Sequence, residues 1–188
     1  LRRSSAASDV YKRQCLADAL EFEYRVNLID LQETSLPADL CPRETVVISV
    51  IHGTFGEDGQ LQGILDGAGF FYAGSGANAS RLCINKHASK RSVAERGVRV
   101  SPDIRFSDPR SINPKEICEE LGTDLILKPT DQGSSVALFV TKGADQLEKA
   151  LGEIENGNWM LEKRIFGREV TVGPVSYTHL RAHETQRN

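Results

Sequence analysis

Cysteine is sparse in this sequence and is not arranged as a site. The four residues lie far apart and form no CxxC pair, at positions Cys15, Cys41, Cys83 and Cys118. This spacing argues against a disulfide framework and predicts reduced, mostly buried thiols in a cytoplasmic protein. No apolar run approaches the roughly 20 residues of a membrane span. The basic first residues lack the apolar stretch of a signal peptide.

Hydrophobic periodicity is missing from both ends of the chain, residues 1–14 and 175–188. The two ends are related at the level of DNA, because codons that encode residues 9–14 can encode residues 175–179 when read on the opposite strand. This relation resembles translated sequencing-adapter DNA, so we predict that both ends are non-native. The natural part is then expected to lie between them and to be truncated on both sides.

An excess of basic residues is also lacking. The formal net charge is −3, and without the two ends Lys+Arg falls from 23 to 17 and Asp+Glu from 26 to 24, which gives −7. An acidic domain argues against a nucleic-acid surface or an anionic membrane as partner. We therefore expect neither nucleic acid nor membrane among its partners.

The richest stretch is residues 46–63, which joins a β-branched run to four glycines and a second apolar set at helical spacing. The run predicts a buried strand, and the glycines that follow predict a turn whose backbone approaches a ligand closely. Strand, glycine turn and helix is how a parallel α/β sheet forms a site at the carboxyl end of a strand. His52, Glu57 and Asp58 are expected at the mouth of that site.

The rest of the pattern predicts α/β order with a mainly parallel sheet, followed by a second α+β unit. Asn113, Pro114 and Glu116 form a helix-start signal. We expect strands at residues 24–31, 46–51, 70–72, 98–106, 124–128, 136–140, 159–163 and 169–172, and helices at 78–96, 113–121 and 144–154. In the helix at 78–96, the pattern predicts a solvated face for Lys90 and Arg91.

Several residues of the second unit are suited to a nucleotide. Lys128 ends a strand and can meet phosphate oxygens as a point charge. The loop after it contains Gly133, Ser134 and Ser135, which can form a phosphate-binding nest. Glu162 can bond an adenine edge, and Glu169 can bond ribose hydroxyls. From spacing alone, an ordinary turn and a strand-end charge pair remain open alternatives.

Four segments in this order resemble the D-alanine–D-alanine ligase family. Residues 52–63 (HGTFGEDGQLQG) resemble its signature HGxxGE[DN]Gxx[QSA]G, and residues 72–76 with Asn85-Lys86 resemble its YTGSG…DK segment. Residues 127–136 resemble its VKP…EGSSVG loop, and residues 161–172 resemble its [VI]E…GREVTV hinge. The resemblance covers nearly all of residues 20–173.

The resemblance implies an ATP-grasp ligase. The implied fold is a partial Rossmann-like parallel sheet in residues 15–88 followed by the first half of an ATP-grasp α+β domain in residues 89–174. The implied reaction uses ATP and Mg²⁺ to phosphorylate the carboxylate of one D-alanine, and the amine of a second D-alanine then attacks the acyl phosphate. The parent protein is expected to be a cytoplasmic homodimer that serves peptidoglycan synthesis.

The resemblance also implies roles for individual residues. His52 would lie beside the first D-alanine, Ser134 would orient the second substrate as the catalytic hydroxyl, and Glu57 and Asp58 would cap the helix that begins near Gly59. The residues implied for ATP are Lys86, Lys128, Ser135, Glu162, Lys163, Ile165 and Glu169, with Lys163 and Ile165 acting through their backbone.

The sequence departs from the family pattern at Gln132, where Glu is usual, and at Ala137, where Gly is usual. These changes bring loop closure into question rather than ATP binding. The family's first substrate-binding Glu, its Mg²⁺ ligands and its lid loop are expected outside residues 15–174. We therefore expect this chain alone to be inactive as a ligase.

Three other functions stay open. A sister ligase that makes D-alanyl-D-lactate or D-alanyl-D-serine would carry the same motifs. A non-catalytic nucleotide-binding module would need only the ATP residues. A dinucleotide oxidoreductase is disfavoured, because the pattern at Gly74 and Gly76 has Ala79 where the third glycine of G-x-G-x-x-G belongs.

Overall fold

The computed structural model describes residues 2–31, 33–133, 137–173 and 181–184, and it describes side chains within 10–31, 33–133 and 137–170. Six helices and eight strands lie in this part of the chain. The first half contains α1 (Arg2–Leu20), β1 (Val46–Ile48), α2 (Gln60–Ala68), β2 (Phe71–Ala73), α3 (Ala77–Ile84) and α4 (Lys86–Ala94). The second half contains β3 (Asp103–Phe106), α5 (Pro114–Leu121), β4 (Asp124–Pro129), β5 (Phe139–Lys142), α6 (Ala144–Gly152), β6 (Trp159–Lys163), β7 (Val170–Gly173) and β8 (Arg181–Glu184).

The first sheet is a parallel pair, β1 and β2, joined through α2. The apolar stripe of α2 buries Leu61 and Leu65 against Phe70. Gly69 ends the helix with φ +76, a left-handed conformation that glycine adopts without strain. The predicted strand–helix–strand order and its parallel pairing are confirmed here.

The second sheet has four antiparallel strands in the order β3-β6-β4-β5. Helices α5 and α6 supply Ile117, Leu121, Leu147 and Leu151 to a core that also contains leucines of β4 and β6. This core is the larger of the two and includes several residues with no exposed surface.

Strand β4 explains how this sheet separates its core from its polar side. Leu125, Leu127 and Pro129 are buried, while Ile126 and Lys128 between them are half-buried. Because side chains alternate along a strand, Lys128 lies on the face opposite the leucines. The same alternation places Glu162 of β6 beside Ile126 on that second face.

Local signals explain the edges of α5. The Asn113 side chain accepts a hydrogen bond from the backbone N–H of Lys115, Pro114 occupies the first turn, and Gly122 follows at φ +94. The helix start predicted from these residues is confirmed.

Three predicted elements of the first half were wrong or shorter than expected. Residues 24–31 form no strand, and Tyr24 and Leu28 are exposed, so their alternation finds no sheet edge in the described part of the chain. The strand at 46–51 covers only Val46–Ile48, and both of these residues are exposed because β2 is the only described strand beside β1. The helix at 78–96 is two helices, since Asn85 takes an extended conformation and caps α4 by accepting from Ala88 N–H.

Smaller corrections concern the second half and the thiols. Strand β5 begins at Phe139 rather than at residue 136, which lies outside the described residues. Strand β3 covers only the last four residues of the stretch predicted at 98–106. The thiols are free, but Cys15, Cys41 and Cys83 are exposed, so the prediction of mostly buried cysteines was wrong. Burial raises the pKa of the remaining thiol, Cys118.

The two chain ends take up secondary structure. Helix α1 includes most of residues 1–14, and β8 pairs with β7 in antiparallel fashion. Their assignment to adapter DNA stays a prediction, as does the domain division, whose border at residues 88–89 falls within α4. Among the described residues, no helix is both long and apolar enough to cross a membrane.

Replacing a buried and an exposed leucine tests whether the second-sheet core stabilises the fold. Leu127 has no exposed surface, whereas Leu28 is 48% exposed. We expect Leu127→Ala to lower the free energy of unfolding by about 2–5 kcal/mol, because it leaves a cavity. The matched exposed change Leu28→Ala should lower it by less than about 0.5 kcal/mol. Urea denaturation followed by Trp159 fluorescence measures both, and equal losses would contradict this packing.

Candidate active site

The turn after β1 depends on glycine at two close approaches. A Cβ on Gly56 would overlap the carbonyl of Ile51, and a Cβ on Gly59 would overlap the carbonyl of Ala77. Gly59 also has φ +86, and Phe55 takes φ +77 without being glycine. The turn is therefore folded tightly against Ile51, just after β1, and against the start of α3.

Two carboxylates hold this turn. Glu57 Oε2 accepts from Gly53 N–H at 2.6 Å, and Asp58 accepts from the N–H groups of Phe55 and Gln60, each at 3.0 Å. Burial acts to raise the pKa of Asp58, but these hydrogen bonds outweigh it and lower that pKa. The predicted capping role is thus only partly correct, because Asp58 bonds the first helical N–H while Glu57 bonds the turn.

His52 stands at the mouth of the turn, as predicted. Its Nδ1 lies 3.3 Å from Glu57 Oε1, and its Nε2 lies 3.3 Å from Lys12 Nζ. Because an ammonium group only donates, Nε2 accepts from Lys12, and this assigns the proton to Nδ1. The imidazole is half-exposed, so its ring edge is reachable from solvent.

Lys86 and Lys128 converge at the loop that follows β4. The Lys86 N–H donates to Thr130 O at 2.8 Å, and Lys86 Nζ donates to the backbone carbonyl of Gln132. Burial and then repulsion from Lys128 lower the pKa of Lys86. The carboxylates of Asp131 and Glu162 act in the opposite direction but do not outweigh these two effects.

The two departures from the family loop have different consequences. Gln132 acts through its backbone carbonyl, so the exchange of its side chain leaves the Lys86 contact intact. Ala137 has φ +52, a left-handed conformation that favours the glycine usual at this position. Ser134 and Ser135, predicted for the second substrate and for the phosphates, lie outside the described residues.

Glu162 lies within a chain of charges on the face of the second sheet opposite the leucine core. Lys128 Nζ bonds its Oε1, and Lys90 Nζ lies 3.1 Å from its Oε2. Lys90 also lies 2.6 Å from Asp103 Oδ1, and His87 Nδ1 lies 2.9 Å from Asp103 Oδ2. The prediction that Lys90 is solvated was therefore wrong, since its side chain is only 16% exposed, whereas Arg91 is exposed as expected.

The predicted hinge residues are spread along β6 and the segment after it. The Lys163 backbone is already engaged, because its N–H donates to Pro102 O at 3.1 Å and its carbonyl accepts from Ser101 Oγ at 2.5 Å. Ile165 and Glu169 are exposed. The structure thus brings Lys86, Lys128 and Glu162 together, and it leaves Ile165 and Glu169 on the surface.

The sequence of this chain is similar to those of several known proteins. The chain is 32% identical over 151 residues to a D-alanine–D-alanine ligase of Syntrophobacter fumaroxidans, covering 79% of this chain and 48% of that protein. It is 35% identical over 158 residues to the ligase of Thermotoga petrophila, covering 82% and 49%. The chain belongs to the D-alanine–D-alanine ligase family. It spans about half the length of these curated relatives, and no family model matches it.

Solved structures confirm the fold class predicted for this family. The D-alanine–D-alanine ligase of Bacillus anthracis complexed with ATP aligns with TM-score 0.59 and 28% identity, covering 68% of this chain and 43% of that one. The VanG D-Ala:D-Ser ligase of Enterococcus faecalis aligns with TM-score 0.61 and 29% identity, covering 73% and 41%. The described residues thus have a mixed α/β fold, with a parallel and an antiparallel sheet, that aligns with part of the ATP-grasp ligases of this family.

Sequence reasoning missed Lys90, Asp103 and His87. Lys86 and Lys90 are four residues apart and share one face of a helix, which is the signal that was available. Their partners lie on strands whose register cannot be read from composition, so this signal alone does not distinguish a site from a solvated face.

The family's glycine turn offers a matched pair of substitutions. Gly59→Ala places a Cβ against the Ala77 carbonyl at positive φ, and we expect a loss above about 2 kcal/mol of unfolding free energy. Gly67→Ala, inside α2 with no atom within 4 Å of the added Cβ, should gain about 0.5–1 kcal/mol. Thermal melts of both variants measure the difference, and a harmless Gly59→Ala would disprove the close approach.

Proposed function

We propose that this chain binds ATP between Lys86, Lys128 and the loop at residues 130–133. The observation that carries this proposal is the convergence of two lysines on one strand end, where burial and mutual repulsion disfavour the charge of Lys86. Such an arrangement is stabilised by a polyphosphate, whose oxygens neutralise both ammonium groups. The family membership and the ATP complex of the B. anthracis ligase support the assignment.

The donor set fits a nucleotide triphosphate in charge and in burial. Lys86 is held by main-chain contacts and Lys128 by Glu162, so both ammonium groups are positioned before a phosphate arrives. When bound, ATP would supply the phosphoryl group that turns a carboxylate oxygen into a good leaving group. The lysines would orient the phosphates and spread their charge, which is the main work of a phosphoryl-transfer site.

For the whole protein we propose ligation of two D-alanines to D-alanyl-D-alanine through an acyl phosphate. His52 would face the first D-alanine, because its ring edge is reachable while Glu57 fixes its Nδ1. Donation from Nε2 to a substrate oxygen would require that Lys12, which now donates to Nε2, move away and that the ring carry a second proton. Glu57 and Asp58 keep the turn in shape and take no part in the reaction.

The finer assignments remain proposals for the whole protein. We propose that the Ser134 hydroxyl orients the second substrate and that Ser135 contacts the phosphates. The residues proposed to contact adenosine are Glu162, Lys163, Ile165 and Glu169. We also propose that the whole protein is a cytoplasmic homodimer and that it uses Mg²⁺ together with ATP. Among the described residues no three potential metal ligands lie together, so no step is assigned to a metal.

Nucleotide binding by the 188-residue chain is the direct test. We expect Lys128→Ala to weaken binding of a non-hydrolysable ATP analogue at least tenfold in calorimetry, because a phosphate partner is lost. Lys149→Ala, an exposed lysine on α6, removes the same charge elsewhere and should change affinity less than twofold. Equal affinities of the two variants would place the nucleotide away from Lys128.

Substrate choice is tested separately on a complete protein that contains this segment. The similar alignment to a D-Ala:D-Ser ligase keeps D-serine as a second candidate for the acceptor. We expect ATP-dependent phosphate release with D-alanine alone, and dipeptide identified by mass spectrometry. Phosphate release that requires D-serine or D-lactate in addition to D-alanine would assign the sister activity. No phosphate release with any of the three compounds would refute the ligase proposal.

A further inference from the structure

Two carboxylates face each other across neighbouring strands of the second sheet. Asp103 on β3 and Glu162 on β6 are direct register partners, and their side chains are only 10% and 12% exposed. Like charges in this position destabilise a sheet, all the more where water is largely excluded. The pair therefore requires cations that the sheet itself does not place between them.

Lys90 supplies the shared cation from outside the sheet. It comes from α4 and lies 2.6 Å from Asp103 Oδ1 and 3.1 Å from Glu162 Oε2. The outer oxygens are taken by His87 on the Asp103 side and by Lys128 on the Glu162 side. Every oxygen of the two carboxylates thus has one nitrogen partner, and two lysines balance two carboxylates.

This balance changes when Lys128 turns to a phosphate. Both oxygens of Glu162 are occupied in the structure, so a nucleotide that takes Lys128 leaves Oε1 without its partner. A partly buried carboxylate that loses its cations favours its protonated form. Lys90 is less free than Lys128 to move to the phosphate, because its Nζ lies closer to Asp103 (2.6 Å) than to Glu162 (3.1 Å).

We propose that Lys90 is a positioning residue that keeps Glu162 ionised and fixed while Lys128 exchanges Glu162 for a nucleotide phosphate. This inference rests on the proposed nucleotide site. In this role Lys90 contacts no substrate. Its charge keeps Glu162 from taking up a proton when Lys128 moves from Glu162 to the phosphate. Asp103 and His87 hold Lys90 in place from the far side.

The groups facing Glu162 define the expected proton balance. They are Lys90 from α4, Asp103 from β3 and Lys128 from β4, with Lys86 near enough for Glu162 to affect its pKa. With Lys90 replaced by a neutral residue, Glu162 would face Asp103 with Lys128 as its remaining direct cation. Nucleotide binding would remove that cation, and Glu162 would then take up a proton from solvent.

Calorimetry in buffers of different ionisation enthalpy measures this proton directly. The non-hydrolysable ATP analogue is titrated into the 188-residue chain at pH 6.5 in Pipes and in Tris, and the buffer dependence of the heat gives the protons bound per nucleotide. We expect Lys90→Gln to bind up to one proton more than the unchanged chain. Lys90→Arg, which keeps the charge, and Lys149→Gln, the surface control, should match the unchanged chain.

The outcomes separate this inference from the proposed site. Absence of binding by the unchanged chain refutes the nucleotide site and this inference with it. Normal binding with equal proton numbers in Lys90→Gln and the unchanged chain refutes only the role of Lys90, as does an Arg variant that behaves like Gln. A purely structural Lys90 would alter stability without altering the proton number.

A second variant covers the case in which Lys90→Gln does not fold, judged by far-ultraviolet circular dichroism. Lys90→Gln/Asp103→Asn removes the opposing carboxylate together with the lysine and so preserves the net charge. Glu162 still loses its second cation, and we expect a smaller but measurable excess of protons bound. A proton number equal to that of the unchanged chain would overturn the proposal here as well.

Discussion

Alternation along β4 is the constraint on which the rest of the second half depends. Leu125 and Leu127 point into a core with α5 and α6, and Lys128, one residue later, is thereby committed to the other face. A register slip of one residue would exchange the two sets and bury an ammonium group among leucines. The hydrophobic core thus fixes the position of a charged side chain as firmly as a direct contact would.

The parts that could be predicted from sequence are those set by short-range rules. The glycine turn after β1, the Asn113 cap and the amphipathic stripe of α6 each depend on residues within a few positions of one another. The family motifs added the order of the sheets and the candidate residues His52, Lys86 and Lys128. The local conformations and the strand order are confirmed, whereas the roles of these three residues stay predictions.

The charge network could not be predicted, for a physical reason. Lys90 and Glu162 are 72 positions apart, and their contact exists only because β3 pairs with β6 in one register and α4 lies across both. The break at Asn85 also separates α3 from α4, the helix that carries Lys90. The strand expected at residues 24–31 failed for a related reason, because alternation cannot form a strand without a neighbouring edge.

The two sheets differ in how completely they are covered, and this difference has a consequence for motion. The parallel pair leaves Val46 and Phe71 largely exposed, while Leu125, Leu127 and Leu161 in the second sheet have no exposed surface. Regions with few buried contacts open locally at lower free energy than the global unfolding transition. Amide protons of β1 would therefore exchange with solvent through partial opening, and those of β4 and β6 mainly through complete unfolding. The half that contains the parallel pair and the half that contains the antiparallel sheet would thus fluctuate on separate timescales.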